Sequence, residues 1–242
     1  MFSLKNHPFA VETTFETSIV LTYAVPKEDL EKLIPSCLQL DTFDGKWGFV
    51  ALALVSTQKL RPKGFPEFMG DDFILAGYRV FVRYINSKGK IFRGLYILKS
   101  ETNNPKMTFF GNIFTHYNYT TTDIHFEKND ETLKIASKKS GLEVEIRNVV
   151  NAALPAGSPF PDWAAARKFA GPLPFTFSVN EKKRSILIIE GVRQNWTPKP
   201  VEVTNAKIGF LDSLNLRSLV PANAFIIENI PYYWKKGRLE KW

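Results

Sequence analysis

Two apolar stretches that flank a turn sequence carry basic side chains, which are the first candidates for binding chemistry. The stretches are residues 73–85 and 91–99, and residues 86–90 between them read Asn-Ser-Lys-Gly-Lys, a sequence typical of a hairpin turn. With the turn centred on its first lysine, Arg83 lies opposite Arg93. Because two arginines in that position repel one another, the pair needs either solvent or an anion.

One face of this predicted hairpin carries all of its basic strand residues. Side chains alternate between the two faces of a strand, and the alternation groups Leu75, Arg79, Phe81, Arg83, Arg93, Leu95, Ile97 and Lys99 on one face. The opposite face is apolar and aromatic, as is typical of a core. The basic face is therefore either a solvated surface or the lining of a cavity in which Arg79, Arg93 and Lys99 bind an anion.

Further side chains could take part in such a site. Glu190 lies within the apolar stretch 185–193, and Glu101 follows the hairpin; either carboxylate could neutralise the arginines, and Glu190 could carry a raised pKa in a pocket or face solvent. In a catalytic protein, His116 would transfer protons, and Lys99 would act as nucleophile or as acid and base. Four aromatic residues could form the wall of a ligand site or could simply pack near the end of the chain. They are Trp196, Tyr232, Tyr233 and Trp234.

Several common classes of site have no motif in this sequence. Neither a Gly-x-Gly-x-x-Gly nor a P-loop pattern is present, so nucleotide phosphates have no cradle, and no Gly-x-Ser-x-Gly sequence marks a hydrolase nucleophile. The histidines His7, His116 and His125 lie far apart, and Cys37 is the single cysteine. We therefore expect no cofactor, no metal site and no internal disulfide.

Composition and charge describe a globular protein with a basic surface. The 242 residues are 44% hydrophobic and 23% charged, and the net charge is +8, which favours an anionic partner. The basic residues form short groups without zinc-finger spacing or a basic helix, so nucleic acid is not the expected partner.

The start of the chain does not resemble a signal peptide, and the longest apolar run, residues 49–55, is far below the roughly 20 residues of a membrane helix. We expect a cytoplasmic protein with a small anionic or carbonyl ligand. The sequence is compatible with either a monomer or a homo-oligomer.

The elements that must position these residues are mostly strands. Alternation predicts a strand at residues 15–25, and helical spacing predicts a helix from Pro26 to the residue before Pro35. Residues 47–57 are apolar on both faces, as in a strand that is buried on both sides. Further strands are expected at 119–128, 132–138, 142–149, 185–193, 201–203 and 224–230, with a short helix at 162–170. No linker divides the chain, so we predict one mainly β (α+β), antiparallel domain over residues 1–242.

Two segments resemble the acetoacetate-decarboxylase-like superfamily. Residues 22–35 look like its strand-then-helix opening and read Thr-Tyr-Ala-Val-Pro-Lys-Glu-Asp-Leu-Glu-Lys-Leu-Ile-Pro. Residues 38–45 are similar to an uncharacterised branch of that superfamily and read Leu-Gln-Leu-Asp-Thr-Phe-Asp-Gly. The resemblance covers roughly residues 12–120. It implies a β-barrel or cone with a few flanking helices and an internal cavity.

The sequence departs from the decarboxylase pattern at the residues that carry catalysis. The decarboxylases form a Schiff base on a lysine that is activated by apolar burial and by a second lysine, and their motif Gly-Phe-Pro-Lys-Lys is absent here. By position Lys99 is the nearest lysine, and it lacks a lysine neighbour. Ala24 stands where the resemblance implies an arginine, and Leu75 where it implies a glutamate. We therefore do not expect acetoacetate decarboxylation.

These observations lead to three hypotheses from different classes. The first is a small-molecule-binding protein, with or without catalysis, whose internal pocket takes a small carboxylate or carbonyl compound held by Arg79 and Arg93. The second is a non-catalytic sensor or scaffold with a degenerate pocket, which would lack a lysine of strongly lowered pKa. The third is a basic surface for nucleic acid, which salt-dependent retention would reveal.

Overall fold

The computed structural model describes residues 3–129, 131–149, 152–171 and 173–242. This part of the chain contains four α-helices: α1 (Lys27–Glu31), α2 (Pro105–Phe114), α3 (Trp163–Ala170) and α4 (Gly209–Ser213). The strands of its first half are β1 (Val11–Pro26), β2 (Gln39–Leu40), β3 (Trp47–Pro62), β4 (Asp71–Ile85), β5 (Ile91–Thr102) and β6 (Tyr119–Thr121). The remaining strands are β7 (His125–Lys128), β8 (Thr132–Ser137), β9 (Leu142–Arg147), β10 (Phe175–Asn180), β11 (Ser185–Arg193), β12 (Lys199–Pro200), β13 (Glu202–Ile208), β14 (Val220–Trp234) and β15 (Arg238–Lys241). The protein is mainly β, as the sequence predicted.

Seven strands pair in a ring. The pairing order is β14, β1, β3, β4, β5, β10 and β11, and β11 pairs again with β14. All of these pairings are antiparallel except that of β5 with β10. The closing pairing is short and joins Gly191, Val192 and Arg193 to Trp234, Tyr233 and Tyr232.

A second sheet of four strands, in the order β13, β9, β8 and β7, shares the largest core cluster with the ring. Leu52 of β3 and Tyr78 of β4 belong to that cluster together with Ile135 and Val144 of the second sheet. The opposite face of the ring is also covered, because Phe49 packs with Phe160 and Ala166 in another cluster. Strand β3 is thus buried on both faces over most of its length, as its apolar sequence predicted. Within the described residues no helix has the length and apolar character needed to cross a membrane.

The predicted hairpin register is confirmed up to one irregularity. Ile85 pairs with Ile91, Arg83 with Arg93, and Arg79 with Ile97. The register then shifts, and Tyr78 pairs with Lys99 rather than with Leu98. Such a β-bulge inserts one residue and reverses the alternation beyond it. The prediction that Lys99 shares a face with the arginines is therefore wrong.

Some element boundaries differ from those predicted. Helix α1 ends at Glu31, three residues before Ile34. Pro35 disfavours helical geometry at Ile34 alone, so it does not account for the earlier end. The predicted strand 119–128 is two strands in different sheets, β6 beside β5 and β7 beside β8. Helix α2 was not predicted. It begins at Pro105, and the side chain of Asn104 caps it by accepting hydrogen bonds from the backbone N–H groups of Lys106 and Met107.

Candidate functional site

Arg79 lies on a face of the ring that can be followed from strand to strand through the pairing. Arg79 of β4 pairs with Ile97 of β5, and the next pairs on this face are Leu95 with Thr176 and Thr176 with Ile189. Along β11, the residues that follow Ile189 on the same face are Gly191 and Arg193, which pair with Trp234 and Tyr232 of β14. We call this surface the arginine face; it carries Arg79, Leu95, Ile97, Thr176, Ile189, Gly191, Arg193, Tyr232 and Trp234.

Glycines make room for two of the polar side chains on the arginine face. The guanidinium group of Arg79 folds back over Gly77, and its Nε would lie 3.0 Å from a Cβ placed on that glycine. The hydroxyl of Tyr232 would lie 1.8 Å from a Cβ on Gly191, a distance that no side chain could tolerate. The absence of a side chain at these positions therefore sets where Arg79 and Tyr232 point.

Arg193 lies among aromatic rings at the closing pairing of the ring. Its Cζ is 4.5 Å from the ring centroid of Trp196 and 5.7 Å from that of Tyr232. Tyr232 in turn stacks on Phe15 of β1 at 4.5 Å. Burial lowers the pKa of Arg193, Tyr232 raises it, and the nearby charge of Arg79 lowers it. Arg193 still keeps its charge at neutral pH, as arginine does throughout proteins.

The side chains of the arginine face converge on Tyr117. Burial raises the pKa of the Tyr117 hydroxyl, Tyr119 and Tyr232 raise it further, and Thr176 and Arg79 act in the opposite direction. Burial also raises the pKa of Tyr119 to about 12, against the effect of Arg79. Tyr117 also packs in one apolar cluster with Ile97, Ile189 and Trp234, so the segment between α2 and β6 covers part of this face.

Polar atoms at this convergence have no partner within the described part of the chain. Nε of Arg79, Nη2 of Arg193 and Nε1 of Trp196 are buried and make no hydrogen bond there. Neither arginine forms an ion pair with a carboxylate of the described residues, although most arginines of the structure do. Buried polar groups are normally satisfied, so the arginine face has the chemistry of an anion site.

Arg93, predicted to act with Arg79, is engaged elsewhere. Its guanidinium donates to Asp41, with Nε 2.7 Å from Oδ2, and to the backbone oxygen of Phe169 at 3.0 Å. Arg83 also approaches Asp41, with 3.6 Å between Nε and Oδ1. The repulsion between the two arginines is thus neutralised by a carboxylate that was not among the predicted ones. Arg93 lies roughly 13 Å along the strands from Arg79 at 3.3 Å per residue.

Lys99 and Glu101 lie together, on the face opposite the arginines. The Nζ of Lys99 is 2.7 Å from Oε1 of Glu101, and the same oxygen accepts a hydrogen bond from the Ser140 hydroxyl at 2.9 Å. Tyr78 donates to the other carboxylate oxygen at 3.3 Å. Glu101 is almost fully buried, and this network joins the ring to the loop between β8 and β9.

Of the two remaining predicted residues, Glu190 is placed away from the arginine face. Glu190 accepts a hydrogen bond from Lys235 Nζ at 2.8 Å and pairs with Phe175, so its side chain lies on the other side of β11. His116 is half-buried, and burial lowers its pKa, with a smaller contribution from the positive charge of Lys5. Among the predicted site residues, Arg79 is the one that strand pairing places on the arginine face and whose charge acts on Tyr117.

An apolar cavity adjoins the arginine face beneath α2. Its volume is about 380 Å³. The residues that line it from the ring include Phe73, Leu75 and Trp234; from α2 they include Met107, Phe110 and Phe114; and Tyr117 and Tyr119 line it as well. A cavity of this size is within the range of small-molecule sites.

Sequence reasoning missed Arg193 and Tyr117 and left Trp196, Tyr232 and Trp234 open. The alternation of 185–193 could have placed Arg193 on the face opposite Glu190, since the two differ by an odd number of positions. Tyr117 had no usable signal, because it lies on the segment between α2 and β6 and reaches the site through the tertiary fold. Trp196 and Tyr232 contact Arg193, and Trp234 packs against Tyr232. Tyr233, the fourth predicted aromatic residue, pairs with Val192 and contacts Lys63 instead.

Comparisons with known proteins identify the fold. The model of the family DUF2071, described as an uncharacterized conserved protein, matches residues 12–240. Acetoacetate decarboxylase from Legionella pneumophila subsp. pneumophila str. Philadelphia 1 has a similar structure, with a TM-score of 0.64 and 12% identity over 96% of this chain and 88% of that chain. None of the curated proteins matches the sequence.

Two further solved structures share this fold. The enduracididine biosynthesis enzyme MppR, in a complex with pyruvate, has a TM-score of 0.58 and 10% identity over 96% of this chain and 90% of that chain. An acetoacetate decarboxylase-like enzyme from Sphingomonas wittichii RW1 has a TM-score of 0.56 and 10% identity, covering 99% and 95% of the two chains. The resemblance inferred from residues 22–45 is therefore confirmed at the level of fold, in a divergent sequence.

Proposed function

This chain belongs to the DUF2071 family, and from that premise we propose that it binds a small carboxylate or carbonyl compound on the arginine face. We further propose that the seven-stranded ring forms a barrel or cone with this face inside. The closing pairing of β11 with β14 supports that shape. The convergence of Arg79, Arg193 and Tyr117 from separate strands and a loop supports it as well.

The observation that carries the proposal is that Nε of Arg79 and Nη2 of Arg193 are buried and have no hydrogen-bond partner among the described residues. Two positive charges that approach each other away from water raise the free energy of the folded protein. A carboxylate offsets this cost and can accept two hydrogen bonds from each planar guanidinium. The tyrosine hydroxyl of Tyr117, protonated at neutral pH, can donate to the second oxygen or to a neighbouring carbonyl.

Replacement of either arginine tests this proposal. Arg79→Met and Arg193→Met should each weaken the binding of pyruvate or acetoacetate by roughly 10- to 100-fold, because each removes charge-assisted hydrogen bonds. Isothermal titration calorimetry measures the affinity. Arg167→Met is the matched control, since Arg167 is exposed on α3 and its loss makes the same change in net charge. Wild-type affinity in both variants, or no binding by the wild-type protein, would contradict the proposal.

The lysines favour a binding protein over a Schiff-base enzyme. The strands of the ring contain two lysines, Lys59 and Lys99, and both form ion pairs with glutamates. Lys106 on α2 lines the cavity, but its side chain is 72% exposed and approaches Asp71 at 3.7 Å. A carboxylate or bulk water stabilises the ammonium form of lysine, whereas Schiff-base formation requires the free amine.

Reductive trapping distinguishes the two classes. Incubation with acetoacetate and borohydride should leave Lys99 and Lys106 unmodified at neutral pH, because neither amine is held in the apolar or cationic surroundings that would deprotonate it. Intact-protein and peptide mass spectrometry detect the adduct, and a decarboxylase treated in parallel shows that the reaction conditions work. Stoichiometric reduction onto either lysine would identify an enzyme and overturn this assignment.

A further inference from the structure

The cavity beneath α2 and the arginine face meet at shared residues. Leu75 lines the cavity, and the next residue on its face of β4 is Gly77, over which the Arg79 guanidinium folds. On the other side, Trp234 lines the cavity and lies 4.7 Å, centroid to centroid, from Tyr232. Tyr117 and Tyr119 border both regions. Arg79 thus lies beside the wall of the cavity, and Arg193 and Tyr232 line an adjoining pocket that shares Arg61 with it.

From this arrangement we infer that the ligand is a carboxylic acid with an apolar chain or ring, whose carboxylate binds Arg79 and Arg193 while its apolar part fills the cavity beneath α2. This inference rests on the proposed function and names the class of ligand for the same site. A small acid such as pyruvate would satisfy the arginines but leave the cavity without apolar contacts. Because apolar surface gains free energy when it leaves water, a ligand that occupies both regions should bind more tightly.

The charged groups of the cavity wall form ion pairs, whereas the buried Nδ1 of His7 has no hydrogen-bond partner within the described part of the chain. Arg61 is paired with Glu12 at 3.0 Å, and Lys106 with Asp71 at 3.7 Å. His7 is buried, and burial lowers its pKa, so its ring is neutral at pH 7. The charged groups of the wall are therefore paired, whereas Arg79 and Arg193 have no carboxylate partner among the described residues.

The mouth of the cavity has an apolar rim that suits an amphipathic ligand. Phe110 and Met69 line the cavity and are 52% and 54% exposed. The Lys106–Asp71 pair lies at the same opening and joins α2 to the start of β4. A molecule with an apolar tail can contact these side chains before it enters. The tail would then follow the wall formed by Met107 and Phe73.

A series of straight-chain acids tests the inference. Acetate, butyrate, hexanoate and octanoate, each below its micelle concentration, should bind the wild-type protein with affinities that increase by about fourfold per added methylene. Met107→Trp fills the cavity from α2 and should abolish this increase, while acetate and pyruvate keep their affinity. Phe109→Trp is the matched control, because Phe109 lies on the same helix but is exposed and does not line the cavity.

The possible results separate the inference from the proposed function. Equal affinities along the series, or an undiminished increase in Met107→Trp, would overturn the apolar-chain assignment while pyruvate binding still depends on Arg79. Loss of the increase in Phe109→Trp as well would also count against the cavity. If neither Arg79→Met nor Arg193→Met affects any acid, the proposed function fails together with the inference. Leu75→Phe fills the same cavity from β4 and decides the matter should Met107→Trp not fold.

Discussion

Asp41 holds the two arginines that face each other on the hairpin. The carboxylate is almost fully buried, accepts a hydrogen bond from Arg93 and lies near Arg83. Arg93 also donates to a backbone oxygen of α3, at Phe169. The arginine therefore joins the hairpin to the residue that follows β2 and to α3. Its position indicates a structural role, whereas Arg79 lies at the proposed site.

The role of Arg93 can be tested by its removal. Arg93→Met should lower the free energy of unfolding by about 1–3 kcal/mol, because it takes a charge-assisted hydrogen bond from a buried carboxylate. Pyruvate binding should not change. Urea unfolding measures the stability, and the double variant Arg93→Met with Asp41→Asn should recover part of it, since the buried charge is then gone. If Arg93→Met is as stable as the wild-type protein, or no longer binds pyruvate, Arg93 belongs to the ligand site and the structural role is wrong.

The same residues show the limit of sequence reasoning about charge. Alternation and the turn sequence correctly place Arg83 opposite Arg93, since both are local properties of the hairpin. Their counter-ion, Asp41, is 52 positions from Arg93, and no local pattern connects the two. For the same reason the sequence could not indicate that Arg93 is neutralised within the fold while Arg79 is not.

At the scale of elements, long strands with a regular pattern could be predicted and irregular ones could not. Strand β3 is apolar on both faces, and this property reports burial directly. The bulge near Leu98 falls in the run Tyr96-Ile97-Leu98, where three successive apolar residues give no alternation to follow. The inserted residue moves Lys99 to the opposite face of the sheet. Because this bulge was not predicted, Lys99 was wrongly assigned to the same face as the arginines.

Connections that depend on the choice of partner strand were the other source of error. Residues 119–128 are long enough for one strand, yet the structure divides them between the two sheets. Sequence shows that a segment can form a strand, but the hydrogen-bonding partner is set by tertiary packing. Helix α2 did have a local signal, Asn104 followed by Pro105, which is typical of a capped helix start.

At the scale of the whole molecule, the arginine face lies between an aromatic cluster and the apolar cavity beneath α2. At one end of the arginine face, Phe81 and Phe49 pack against Phe160 in an aromatic cluster. At the other end, α2 covers the apolar cavity. The second sheet packs on the opposite side of the ring. The arginine face is therefore held from both ends, while the opening beneath α2 leaves a route from solvent.

The short pairing that closes the ring has a consequence for local opening. Strand β1 pairs with β14 from Val11 to Ala24, whereas β11 and β14 pair over residues 191–193 and 232–234 alone. Opening a short strand pairing costs less free energy than opening the longer pairings around it. Backbone amides in this pairing should therefore exchange with deuterium faster than those in the middle of β3. Arg193 and Tyr232 lie in this pairing, and a ligand held by them would be lost whenever it opens.

Bound ligand should therefore slow the exchange of this edge. At a concentration 100 times Kd, a ligand that binds the closed form alone should reduce exchange at residues 191–193 and 232–234 by about 100-fold, with little change in β8 and β9. Hydrogen–deuterium exchange with mass spectrometry measures both regions, and Arg193→Met should remove the effect. Equal protection with and without ligand would mean that the site does not depend on this edge. If the edge does respond, ligand binding and closure of the ring are one coupled equilibrium.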